Sequence, residues 1–125
     1  MTDNLHLNID TIDEKHDAFL AILDKLLTSD DSAFLPLFEE MVEHTREHFE
    51  FEENMMHTYN FYGKEEHIGE HRSLLGEMTY FYTKSKRFPA FGRSYINDYA
   101  FEKFKRHILN IDSQLAMFLK ENKLV

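Results

Sequence analysis

The chain has no cysteine. Disulfides, thiolate metal sites and cysteine nucleophiles are therefore excluded. Proline occurs only 2 times and glycine 4 times, so little in the sequence interrupts a helix. No alternating apolar and polar run marks a strand. No apolar stretch approaches the ~20 residues of a membrane span. The opening from Met1 to His6 is polar and shows no secretory signal, so a cytoplasmic protein is expected. Positive charge is scarce as well. Lys and Arg total 14 against 23 Asp and Glu, and the net charge of −9 argues against nucleic acid and anionic lipid as partners. The only basic cluster, Lys84, Lys86 and Arg87, reads as a solvated helix end.

Apolar residues are plentiful, at 42% of the 125, which is enough for one buried core. The expected organisation is a single domain over residues 1–125. An arm spans residues 1–11, and helices follow at about 12–27, 33–59, 64–86 and 94–122. The segment Thr28 to Ser32 is a polar turn, and Pro36 falls near the start of the second helix, where a missing N–H costs little. The inner stripe of that helix reads Leu37, Met41, His44, His48, Glu52, Met55 and Tyr59. Pro89 and Gly92 mark residues 87–93 as a loop. Four helices with short connections predict an all-α, antiparallel up-down four-helix bundle.

The inner faces of these helices carry groups that a core ordinarily rejects. They are His16, His48 and Glu52, His67 and His71, and His107 and Asp112. Residues four apart lie on one helix face, which covers His48 with Glu52 and His67 with His71. His107 and Asp112 are five apart, about 140° around an α-helix, and are expected to straddle the inward direction. An unpaired buried carboxylate is costly, so Glu52 and Asp112 need partners. A metal centre supplies them. Imidazole and carboxylate without thiolate suit Fe, Mn or Zn, and a structural zinc site would use four ligands. The excess fits two metals that share the carboxylates. On two six-coordinate ions, five imidazoles, two bridging carboxylates and one bridging oxygen leave one position open for a small ligand.

Two other readings explain less. His67-Ile68-Gly69-Glu70-His71 fits a zinc-protease signature, but leaves His16, His48, His107, Glu52 and Asp112 without a purpose. Ferritin-like oxidases use Glu-x-x-His pairs, and no Glu here is followed by His three residues later. Leu23, Met55, Phe104 and Ile108 are candidate walls of a dry pocket at the open position. His44, one turn before His48, is a candidate hydrogen-bond support for the ligands, or a core His bonded to a backbone acceptor. His6 and His57 read as surface residues.

The ligand pattern resembles the hemerythrin family. The resemblance rests on Ile12-Asp13-Glu14-Lys15-His16, His48-Phe49-Glu50-Phe51-Glu52-Glu53 with Met56, His67 with Glu70-His71, and His107-Ile108 with Asp112. It implies two iron ions with an oxo or hydroxo bridge. His67, His71 and His107 would hold one iron and His16 and His48 the other, with Glu52 and Asp112 bridging. It further implies reversible O₂ binding by a carrier, storage or delivery protein that is not an enzyme in its main role. Separately from the resemblance, a monomer is the favoured expectation. A di-iron sensor, or an enzyme acting on peroxide, nitric oxide or iron, is the alternative on the same site. The chain departs from the family's usual pattern in having no Trp, with Lys103 where Trp is common, Gly63 where Pro is frequent and His44 where Tyr is frequent.

Overall fold

The computed structural model describes residues 5–124. Residues 1–4 of the expected arm, and Val125, lie outside the described residues. Three long helices come first: α1 (Asp10–Leu27), α2 (Asp31–Thr58) and α3 (Lys64–Ser85). The fourth rod is composite. It contains α4 (Pro89–Tyr95), a π segment (Ile96–Ala100), α5 (Phe101–His107), a second π segment (Ile108–Asp112) and α6 (Ser113–Glu121). Every junction residue has right-handed helical backbone, so the rod is continuous. Among the described residues there is no strand, and the chain is an all-α helical bundle. Short connections force consecutive helices to run antiparallel. α1 packs on α2, α2 on α3 and α3 on α4, and α1 closes the bundle against the first π segment.

Several boundaries differ from expectation for local reasons. α1 starts at Asp10, inside the expected arm, because Asp13 turns back on the chain before it. Its carboxylate accepts from the backbone N–H of Leu7 (2.7 Å) and of Ile9 (3.2 Å). Leu5 and Ile9 are thereby buried. α2 starts at Asp31 because Asp30 caps it, accepting from Ala33 N–H at 2.9 Å. Pro36 consequently sits beyond the first turn, where it removes one helical hydrogen bond.

The expected loop at residues 87–93 is largely helix. Pro89 occupies the first helical position, where its fixed φ is favourable. Gly92 is required by a close approach. A Cβ there would lie 1.9 Å from Ser85 Oγ and 3.0 Å from the Phe34 ring. Arg93 then reaches back to the end of α1, donating to Ser29 O at 3.0 Å while stacking over Phe34 at 4.2 Å.

The core has two apolar layers. One contains Phe19, Leu23, Leu26, Phe34, Phe38, Met41, Met78, Tyr95 and Ile96. The other contains Ile9, Ile12, Met56, Phe61, Leu115 and Leu119. Along each helix the polar residues His16, His48, Glu52, His67, His71, His107 and Asp112 fall between these layers. The inner face of α2 also differs in part from the expected stripe. Phe38, Thr45, Phe49 and Met56 are buried, whereas Tyr59 is 41% exposed and Leu37 and Met55 are only partly buried. A periodic stripe on a 28-residue helix winds around its axis, so one face cannot stay inward throughout.

Candidate metal centre

All seven expected residues meet between the two apolar layers, each no more than 3% exposed. α1 supplies His16, α2 His48 and Glu52, α3 His67 and His71, and the fourth rod His107 and Asp112. Their ligand atoms form two groups, within each of which all atoms lie within 4.8 Å of one another. One group is Glu52, His67, His71, His107 and Asp112, and the other is His16, His48, Glu52 and Asp112. Glu52 and Asp112 belong to both.

The two carboxylates divide their oxygens between the groups. Glu52 Oε2 lies 2.6 Å from His48 Nε2, while Oε1 lies 3.1 Å from Nε2 of His67 and of His71. Asp112 Oδ2 lies 2.9 Å from His16 Nε2, while Oδ1 lies 3.0 Å from Nε2 of His67 and of His107. Every imidazole thus turns Nε2 inward.

His107 and Asp112 do not straddle the inward direction as an α-helix would require. The segment between them is a π turn. Hydrogen bonds in a π turn run i→i+5, so residues five apart stack on one face. The extra residue is what places Asp112 under His107.

Burial and the neighbouring Asp112 push the Glu52 carboxyl toward neutrality, but His48 and His67 outweigh them and hold it ionised well below the usual range. Asp112 is held low in the same way, with His107, His16 and His67 overcoming its burial. Burial alone would lower His67; its contacts with Asp112 and Glu52 instead push the imidazole up to about 9. Without a metal, a proton on His67 offsets part of the buried negative charge. A cation would replace that proton.

The donor set fits a pair of ions. His107 Nε2 and Asp112 Oδ1 are buried and 3.0 Å apart, yet neither has a hydrogen-bond partner among the described residues, since the pair is not aligned as N–H···O. Buried polar atoms left in this state are costly, and a shared cation satisfies both. The Nδ1 atoms of His16, His67 and His107 also lack partners among the described residues. His71 Nδ1 is different: Glu53 Oε2 accepts from it at 3.0 Å, which directs Nε2 into the site. Phe49 stacks on the same ring at 3.7 Å. Sequence spacing carries no sign of Glu53 or Phe49, because both act across the α2–α3 contact.

Next to the centre is a mainly apolar cavity of about 20 Å³, enough for a water-sized molecule. His48 and His107 form its inner wall, and Phe19, Phe49, Leu74, Met78 and Phe104 line much of the rest. Of the four expected wall residues only Phe104 lines it. Leu23 packs deeper in the first apolar layer, Met55 packs against the second, and Ile108 is fully buried away from the cavity. Apolar character identified these residues without telling which helix face borders the cavity. His44 supports no ligand through a hydrogen bond. Its Nε2 donates to Lys15 O at 3.1 Å, tying α2 to α1. His6 pairs with Asp17 at the surface.

An all-α bundle with a buried histidine–carboxylate cluster defines a metal-binding helical-bundle protein, and the cluster fits a di-iron site. The family model described as the hemerythrin HHE cation binding domain matches residues 7–119. The chain belongs to the hemerythrin family. Neither the curated proteins nor the solved structures contain a significant match to it.

Proposed function

We propose that the chain binds O₂ reversibly at a di-iron centre and serves as an oxygen carrier, store or delivery protein. The supporting observation is an asymmetry between the groups. One holds three imidazoles and the other two, and the small apolar cavity borders the centre at His48 of the poorer group and His107 of the richer one. In this reading His67, His71 and His107 hold one ion, His16 and His48 the other, and Glu52 and Asp112 bridge both. Two iron ions, when bound, supply the electrons that hold O₂ reversibly.

The chain's own residues control the surroundings. Phe19, Phe104 and Met78 exclude water from the cavity side. Phe104 packs its edge against His16 at 5.5 Å and stacks on Phe19 at 4.0 Å, which limits the space to a small ligand. Five imidazoles with only two carboxylates make the centre less electron-rich than a carboxylate-dominated site, which favours binding over oxidative turnover. Enzymatic action is therefore not the main role proposed. The proposal extends to a monomer in the cytoplasm; among the described residues no helix is long and apolar enough to cross a membrane.

The test is direct. Iron per chain is measured, the protein is reduced without air, and its visible spectrum is followed as O₂ is added and removed. Two irons and repeated, reversible colour change are expected. Irreversible oxidation with peroxide turnover would replace this reading with the enzymatic one. Glu52→Ala should lose the iron pair, and retention of two irons in that variant would refute the bridging assignment.

A further inference from the structure

The cavity beside the centre has a larger neighbour at the surface. A groove of about 320 Å³ lies between α3 and the fourth rod, bordered by Glu70, Glu77, Lys103 and Arg106. Leu74, Lys103 and His107 line both the groove and the cavity. They form the partition between the groove and the cavity. His107 is buried and directed at Asp112. Leu74 and Lys103 are the two of the three that solvent reaches. Lys103 spans the partition, and its Nζ lies 2.9 Å from Glu77 Oε2 on the facing helix. The two side chains are 40% and 32% exposed.

We propose that Lys103 is the access residue of this centre: held across the groove by Glu77, it closes the route by which a small uncharged ligand passes from the groove into the cavity. Among the residues of the partition, only Lys103 pairs a flexible stem against an apolar cavity with a charged head fixed on the opposite helix. A half-exposed ion pair is weak, and exposed side chains change rotamer on a fast timescale. The route is therefore opened often and closed most of the time. Such a residue governs how fast a ligand enters and leaves. It lines the cavity without belonging to either group of metal-ligating residues, so it acts on the rates and leaves the affinity unchanged. Apolar walls beyond it favour a neutral diatomic over a hydrated ion.

The inference rests on the O₂-binding reading, and two measurements separate the two ideas. In the reduced, iron-loaded protein, O₂ association and dissociation rates are measured by stopped flow for the native chain, Glu77→Gln, Lys103→Met and Lys103→Ala. Glu77→Gln should raise both rates by a similar factor, roughly fivefold as set by the strength of such a pair. Lys103→Ala should raise them further, with the equilibrium constant unchanged. The native rates should rise with salt, and those of Lys103→Met should not. Unchanged rates in all three variants, or an affinity change carried by dissociation alone, would overturn the proposal. In zinc-loaded protein, solvent exchange of the His48 ring proton is followed by nitrogen-15 NMR. It should accelerate in the same variants by comparable factors, and an unchanged exchange rate also overturns the proposal. If the reduced protein takes up no O₂, the functional reading fails while the exchange measurement still decides the route.

Discussion

His107 Nε2 lies 3.0 Å from Asp112 Oδ1, although the two residues are five apart in one helix. The π turn at Ile108–Asp112 makes this possible. Moving the carboxylate one residue earlier, to the usual α-helical spacing, should therefore fail. The paired variant Ile111→Asp with Asp112→Ile is expected to fold and to lose the metal pair, because position 111 is not under His107. Metal per chain, by elemental analysis after loading, checks this. Full loading of the swapped chain would show that the π turn does not place the ligand.

Glu53 holds His71 through Nδ1 at 3.0 Å. Glu53→Gln weakens that support without replacing a ligand. Loss of such a supporting contact typically costs about 10- to 100-fold in metal affinity. Competition with a chelator of known affinity should read a loss in that range. Helical content, by circular dichroism, should not change.

Burial lowers the His44 pKa below its ordinary value, with the nearby His48 acting in the same direction; the Lys15 carbonyl and Glu47 oppose it. The folded state then binds fewer protons than the unfolded one at mildly acidic pH. Stability from this group is present above its unfolded pKa of about 6.5 and is lost as pH falls through the folded value. His44→Gln keeps a donor for Lys15 O and removes the titration. Urea midpoints across pH 5 to 8 should fall less steeply on the acid side in this variant. A native-like acid limb would show that His44 does not contribute.

Gly92 packs where a Cβ would lie 1.9 Å from Ser85 Oγ. Gly92→Ala gains helix propensity, worth up to about 1 kcal/mol. It also forces α3 and α4 apart, and overpacking of this kind costs about 1–3 kcal/mol. The net effect should be destabilising. Adding Ser85→Ala removes the clashing hydroxyl and should recover part of the loss, leaving a measurable coupling in a double-mutant cycle. Additive effects would mean that the two residues do not meet.

The seven inward residues and the four-rod plan were legible in the sequence because both depend on local spacing. Helical period places His48 with Glu52 and His67 with His71 whatever the surroundings. Buried carboxylates demand partners on any helix. The lack of cysteine excludes thiolate chemistry in any fold the chain could adopt.

Tertiary structure alone decided the rest. The helical start at Pro89 depends on how closely Gly92 approaches Ser85 across two helices. The π turn that aligns His107 with Asp112 inserts one residue that an α-helical period does not anticipate. The cavity wall, the support from Glu53 and the Lys103–Glu77 pair are contacts between different helices, which no single helix's spacing specifies. A sequence period reports which face a side chain is on. Which other helix that face meets, and at what height, is set by packing the whole bundle.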